Sequence, residues 1–477
     1  MRPRRARRVR PHIIRHMALG MALALMLPVT ALRAETLTPD QLRQAGVTAL
    51  AAGNLPLTDE IARTLIAAQP QDPLAHYLRG MVHFRLGDAP AAVREGRLAF
   101  RHSGSDLQRH QAARLTAGAL LQDAHPAWAR FWLRRAVETA PTRAARQDSL
   151  AALRALQEAA QWRASARFSL TPSSNVNAGA DSRYNTVDGM PVIGLLSGSA
   201  QALSGTVATL NAEVNRRLLT RAGGQLWLDA RVYLKAVALS AGARRQATQP
   251  PTGGTPLPAP PSDAFDSSNA EIALRWQAPR PRGSRSVQLT GGQSWEAGNR
   301  VFHYGELALN QSHMLGPRDL LSFGASGEYR WSEWRADQDQ RLFGVQAQWR
   351  HALPQGDVLA ASMAMRHTEA EASNLRTRAA SVQLTWQPAR SFGPLSGALS
   401  LGGSLTDYPD YIELALGAVP GGRQDRTLWA DLDLWNAGLA YAGFQPRIKL
   451  RALSVDSNVS RFSHSEFSVN LGLRSAF

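Results

Sequence analysis

From about residue 164 onward, apolar and polar residues alternate in short runs. LWLDARVYLKAVAL sets Leu226, Leu228, Ala230, Val232 and Leu234 against Asp229, Arg231 and Lys235, because side chains of an extended strand point to opposite faces with period two. AEIALRWQ sets Ile272, Leu274 and Trp276 against Glu271, Arg275 and Gln277; FGVQAQWR sets Phe343, Val345, Ala347 and Trp349 against Gln346, Gln348 and Arg350. Counting from ARFSLTP, about fourteen such segments follow, each of the length that crosses an outer membrane. A soluble sandwich would alternate too, but its connections would seldom be so regular. Odd connections include the long polar stretches SSNVNAGADSRYNTVDGMPVIGLLSGSAQALSG, ALSAGARRQATQPPTGGTPLPAPPSDAFDSS and TDYPDYIELALGAVPGGRQDR, while TRAGGQ, PRPRGS, LGPRD and LPQGD at the even ones read as tight turns. This predicts a closed antiparallel transmembrane barrel with both ends on one side.

Before residue 163 the spacing is helical and rich in Ala, Leu and Arg. Gly46 and Gly53 in AGVTALAAGN recur as Gly80 and Gly87 in RGMVHFRLGD, an offset of 34 residues, which is the tetratricopeptide period. The small residues mark the close approach of paired helices, and Gly87-Asp88 the turn between them. A third unit, HPAWARFWLRRAVETAP, keeps Ala129, Ala136 and Pro141 without the glycines. Three helical hairpins and a final helix near residues 145–162 are predicted, with a generic helical bundle as the other reading. Stacked hairpins offer a concave face for peptides. The fold class is therefore α + β multidomain: tetratricopeptide-like hairpins, then an antiparallel transmembrane β-barrel of about 14 strands.

The N-terminus changes where these domains are placed. MRPRRARRVRPHIIRH carries seven arginines and no acid, and the apolar MALGMALALMLPVTALRA follows; the pair reads as a secretory signal cleaved near Ala34. The expected domains are thus a signal peptide at 1–34, a periplasmic helical domain at 35–162 and an outer-membrane barrel at 163–477. The formal charge of +17 falls to +9 once the eight arginines of residues 1–34 are set aside, so nucleic-acid binding loses its main support. With no cysteine, the chain has no disulfide, no thiolate metal site and no lipid-attachment residue.

The final strand, SEFSVNLGLRSAF, alternates Phe467, Val469, Leu471 and Leu473 with Ser468, Asn470 and Arg474. Asn470, Gly472 and the terminal Phe477 resemble the signal by which barrel assembly machinery recognises outer-membrane proteins, with Ser475 standing where an apolar residue is usual. Nine of the twelve tryptophans lie in the strand region; Trp227, Trp276, Trp295, Trp349, Trp386 and Trp429 read as interfacial anchors near strand ends or as core. Asp431 and Asp433 on the twelfth strand neighbour Arg447, Lys449 and Arg451 on the thirteenth. These either pair inside the lumen and brace the wall or form a solvated face. No catalytic, cofactor or metal constellation is expected. His303, His313, His351, His367 and His464 are scattered, Glu369 and Glu371 fall in a predicted loop, and HTEAE lacks a second His at helical spacing.

SLTPSSNVNAGA at residues 169–180, with its Pro-x-x-Asn-Val-Asn pattern, and FQPRIKLRALSVDSNVSRFSHSEFSVNLGLRSAF at residues 444–477 resemble the surface lipoprotein assembly modulators, the Slam family. Domain order and length match as well. The resemblance implies a periplasmic tetratricopeptide domain and a fourteen-stranded barrel. The implied translocon delivers a client surface lipoprotein, or a secreted haem- or metal-related binding protein, to the outer face of the outer membrane. Its partners would be that client, outer-membrane lipid and the barrel assembly machinery, with no cofactor and no enzymatic step. A polysaccharide-export porin is the alternative, and an outer-membrane hydrolase a more distant one.

Overall fold

The structure, a computed structural model, describes residues 37–477 except 192, 414, 415, 437, 438, 440–443, 476 and 477. The expected signal peptide at 1–34 and Phe477 thus lie outside the described residues.

Seven helices come first: α1 (Pro39–Ala51), α2 (Leu55–Ala68), α3 (Pro73–Arg85), α4 (Ala89–His102), α5 (Asp106–Gln122), α6 (Pro126–Glu138) and α7 (Arg143–Ala159). The first four starts are dictated locally. Thr38 and Gln41 form a capping box on α1, Asn54 accepts from Leu57 N–H, Asp72 from Leu74 and Ala75 N–H, and Asp88 from Ala91 N–H, satisfying donors the helix itself leaves open. Gly53 and Gly87 turn the chain at φ +75° and +80°, where a Cβ is strained. Gly46 and Gly80 do a different job: a Cβ there would stand 2.7 Å from the Leu78 side chain and 2.8 Å from that of Leu115.

The third hairpin departs from the period of 34. Its turn residue is Ala124, at φ 54°, 37 positions after Gly87; Ala129 and Ala136 likewise stand 37 positions after Ala92 and Ala99, all four buried. The extra residues lie in α5, which is just over a turn longer than α3. Ala92, Ala113, Ala117, Ala129, Ala136 and Leu133 then make one core with Leu120, Trp132 and Leu153 of α7, so small side chains let the stacked helices approach.

α7 ends at Ala159 and the barrel starts at Trp162. Among the described residues its strands are β1 (Trp162–Ser173), β2 (Gly205–Arg221), β3 (Gly224–Leu239), β4 (Ser267–Arg280), β5 (Gly283–Glu296), β6 (Asn299–Met314), β7 (Asp319–Ser332), β8 (Gln340–Ala352), β9 (Val358–Ala370), β10 (Thr377–Gln387), β11 (Leu395–Tyr408), β12 (Arg423–Asn436), β13 (Phe444–Ser457) and β14 (His464–Ser475). Every neighbour is antiparallel, and β1 pairs with β14 as well as β2. Closure leaves no unpaired edge, the condition for crossing lipid with strands.

The two faces differ as the alternation requires. Phe168, Ile272, Leu289, Phe343, Leu384, Leu401 and Phe467 are each about half exposed or more, on the outer face, and Leu428 reaches 68%. Such a continuous apolar exterior is stable only against lipid. At the proximal end, where the helices join, Trp349 and Trp386 donate to Asp319 and Asp357 at 3.1 Å. Trp331 and Trp334 are exposed at the distal end, so rings mark both rims. Trp227 and Trp429 are not rim anchors. Trp227 is 2% exposed and turned inward, and Trp429 lies over Gly402, where a Cβ would be 2.3 Å from its ring.

The distal connections are less regular than the sequence pattern suggests. Only 174–204, 240–266 and 409–422 are long; β5 and β6 are joined by Ala297-Gly298, and Ser332 to Gln340 and Ala370 to Thr377 are short crossings no longer than some proximal turns. The strands there extend further than the alternation marks, absorbing residues that read as loop. Glu369 is one of these, lying within β9.

Candidate functional site in the barrel lumen

The strand register decides which polar residues meet. Asp433 stands opposite Lys449, and Asp431 opposite Arg451. Side chains lean diagonally: Arg447 Nε donates to Asp433 at 2.8 Å, and Lys449 Nζ to Asp431 at 2.9 Å, with Arg451 Nε at 3.7 Å from Asp431. Asp431 and Asp433 are buried or nearly so, and carboxylates held away from water need such partners. Asn470 and Gly472 of β14 occupy the next position round the wall, opposite Lys449 and Arg447; Asn470 Nδ2 donates to Thr171 Oγ1 at 2.7 Å, and Gly472 faces Ser169.

Further inward pairs were visible in the sequence only as polar positions. Arg275 binds Asp229 through Nε at 2.7 Å, Arg231 meets Glu271 at 3.0 Å, Tyr304 donates to Glu271 at 2.7 Å, and Arg330 binds Glu328 at 2.6 Å. The signal that could have found them is the strand order, since each partner lies on another strand or two residues along. By contrast, the inward positions of β10 and the middle of β11 are small or neutral: Ser381, Gln383, Thr385, Ser400 and Gly402.

At the proximal mouth, Trp227 is surrounded by guanidinium groups: Arg163 at 4.5 Å, Arg275 at 5.7 Å and Arg217 at 5.8 Å from its ring, an arrangement that stabilises cations over an aromatic face. Arg217 also donates to the Glu158 and Ala159 carbonyls at 2.7 and 2.8 Å. It thereby joins the C-terminal end of α7, where partial negative charge gathers, to the barrel wall.

The Pro-x-x-Asn-Val-Asn stretch is structural at the distal end. Asn175 bonds to Gly179 through both its carbonyl and amide groups, Asn177 bonds to Leu203 N–H and the Gln201 carbonyl, and Val176 packs with Leu203, Val237 and Ala243. The same connection reaches across to β13–β14. Val187 packs with Tyr411, Val419 and Val459, and the buried Glu413 binds Arg461 at 2.9 Å. Three long connections are therefore tied into one cap over β1–β4 and β11–β14, which the short β9–β10 connection joins through Asn374 and Ile412, while the connections of β5–β8 are short.

Within the helices, the four glycines take their two roles as described, and polar groups join α3 to α4. His76 Nδ1 lies 2.7 Å from Glu95, and Arg79 lies 3.1 Å from the same carboxylate. The Glu95 hydrogen bond raises the His76 pKa above the ordinary value, against its burial. Burial pushes the Glu95 carboxyl up, but His76 and Arg79 outweigh it and the net direction is down. Burial likewise raises the Tyr77 phenol, with Arg114 and Arg85 opposing.

Four of the five histidines find separate partners: His351 lies 2.7 Å from Asp319, His303 3.1 Å from Glu333 and His367 3.4 Å from Glu369, while His464 Nδ1 faces the Phe462 carbonyl at 2.9 Å; His313 stands near the proximal end of β6. Among the described residues no three acids and histidines converge as a metal site would require.

With this geometry in view, known proteins can be set beside it. No protein-family model and no curated protein matches the chain. Solved structures resemble its two parts separately. The first tetratricopeptide domain of human RPAP3 is 17% identical, over 25% of this chain and 92% of that one, at TM-score 0.23. Pseudomonas putida OprB is 9% identical, over 69% and 96%, at TM-score 0.37, and Salmonella typhi OmpF, solved with daunomycin, is 9% identical, over 65% and 97%, at TM-score 0.35.

Proposed function

We propose that the chain is an outer-membrane translocon that carries a client lipoprotein or secreted binding protein to the cell surface. The observation that carries the reading is the junction. A tetratricopeptide-like stack runs directly into a fourteen-stranded barrel with an apolar exterior, and Arg217 holds the last helix at the barrel's mouth. The apolar exterior supports an outer-membrane barrel, and on this reading the helices, which enter the barrel at the end where β14 finishes, stand in the periplasm. There the stack gathers a partly unfolded client and presents it to the polar lumen. The step is one of binding and passage, with no covalent chemistry. Barrel assembly machinery reads the last strand, at Asn470, Gly472 and Phe477. The Slam-like stretches at 169–180 and 444–477 support the same reading.

The test is deletion of residues 37–159 behind an intact signal, at matched levels of assembled barrel. The client should remain protected from external protease, and the helical domain supplied in trans should restore part of its exposure. Undiminished exposure would reject the capture role. Loss of a secreted polymer with surface proteins unchanged, in a strain lacking the whole chain, would mark a glycan exporter instead.

A further inference from the structure

The inward wall from β13 through β14, β1 and β2 to β3 presents five cations, Arg447, Lys449, Arg451, Arg167 and Lys235, around a cavity of about 770 Å³. Two carboxylates answer them. Asp433 serves Arg447, and Asp431 is shared between Lys449 and Arg451; Glu466, which also lines the cavity, accepts from the Ser173 hydroxyl at 3.0 Å. Arg167 and Lys235 have no hydrogen-bond or ion-pair partner among the described residues. The floor between the two banks of cations is low: moving round the wall from Arg447 to Lys235, the register passes through Gly472, Ser169 and Thr209. Asn211, Tyr233 and Asn470 add neutral hydrogen-bonding groups to the lining. Excess positive charge in a cleft walled by protein focuses its field on the space within.

We propose that this trough is a binding site for an extended acidic segment of polypeptide. The choice of polypeptide rests on the translocation reading above. Arg447, Lys449 and Arg451 stand at every second residue of one strand, so their Cα atoms repeat at about 6.8 Å. Same-face side chains of an extended peptide repeat at that interval too. Asp431 and Asp433, alternate residues of β12, already exploit this match from the adjoining strand. A passing segment with an acid at every second position repeats it from the open side, where Arg451 is only half answered and Arg167 and Lys235 not at all. A carboxylated glycan spaces its acids by the sugar unit and lacks the match.

The experiment uses the full chain in detergent and three fluorescent probes: a twelve-residue peptide alternating Asp and Ser, its Lys and Ser counterpart, and a polyuronate oligomer of similar charge. The Asp peptide should bind, the Lys peptide should not, and the uronate should bind more weakly. Arg167→Glu with Lys235→Glu should weaken Asp-peptide binding by about tenfold or more, with normal heat-shifted migration reporting an assembled barrel. If that pair fails to assemble, Lys235→Gln alone should weaken binding by a smaller factor, and inorganic phosphate should compete on the unaltered protein. Equal binding of the Lys peptide, uronate binding as tight as the Asp peptide, or indifference to the substitutions and to phosphate would overturn the proposal. The two readings fail separately. Normal client exposure without peptide binding removes only the trough, and peptide binding without any client exposure removes only the translocon.

Discussion

The helical stack and the barrel solve the same problem with opposite orientations. In the stack, apolar side chains turn inward: Ala62, Leu78, Ala113, Ala117, Ala129 and Leu133 are nearly inaccessible, and the buried polar groups Asp72 and His76 are paired. In the barrel, Ile272, Leu289, Phe343, Leu401 and Leu428 turn outward, and Asp229, Glu271, Arg275 and Asp431 turn inward. The difference lies in the solvent. Water drives apolar surface together, whereas lipid rewards an apolar exterior and requires every backbone group to be paired within the protein. A mean hydropathy of -0.26 for the whole chain conceals this, because the barrel's apolar residues occupy only alternate positions.

The comparison is broken most forcefully by a charge on each outer surface. Leu401→Arg places a cation near the middle of the lipid-facing side of β11 and should cost about 2–4 kcal/mol. It would be read as loss of the heat-shifted barrel band. Leu86→Arg, at an exposed position beside the α3–α4 turn, should leave the helical circular-dichroism melt within about 0.5 kcal/mol of the original. Equal damage at both sites would remove the distinction between a lipid-facing and a water-facing surface.

A smaller effect tests the close helix–helix packing of the stack. Gly80→Val drives a side chain into Leu115, with Glu95 and the Gly96 backbone close behind, and should destabilise the helices by about 1–3 kcal/mol without moving the barrel's heat shift. The helical melt and the gel shift together check this, and a coupled loss of both would mean that the two parts fold as one unit.

Proton linkage sharpens the comparison further. His76 holds its proton more tightly when folded, because of Glu95, so that contribution is complete below the unfolded histidine value of about 6.5 and fades as pH rises through the higher folded value. Glu95, with its folded value lowered, contributes above the unfolded carboxylate range and loses that contribution as pH falls. The helical melting temperature should therefore decline on raising pH above the ordinary histidine range, and His76→Gln should flatten that decline. A decline unchanged in the variant would assign it to another group.

The smallest expected change is a gain. Ala124 occupies the left-handed region that Gly53 and Gly87 fill at the matching turns, so Ala124→Gly should raise helical stability by about 0.5–1 kcal/mol, relief of strain exceeding the added chain entropy. A lower melting temperature would show that the turn tolerates alanine without strain.

Several features were legible along the chain because their causes are local. Period-two alternation marks strands, Gly46, Gly53, Gly80 and Gly87 mark two helical hairpins, and short runs with Gly or Pro mark the proximal turns; each depends on residues a few positions apart. From these come the fold class and the count of fourteen strands. The third hairpin escaped the period of 34 because α5 is longer, a change visible only once Ala124 is seen turning the chain. The length of the distal connections was overstated because polar residues also occur in strands that rise beyond the apolar belt. What the tertiary structure alone decided is pairing at long range. It set the closure of β1 on β14, the inward turn of Trp227, the hold of Arg217 on α7, the side-by-side placement of Asn470 and Gly472 with Lys449 and Arg447, and the accumulation of unanswered cations near β1 and β3. Alternation states which side of its own strand a residue occupies; only the register around a closed barrel states what it will meet there.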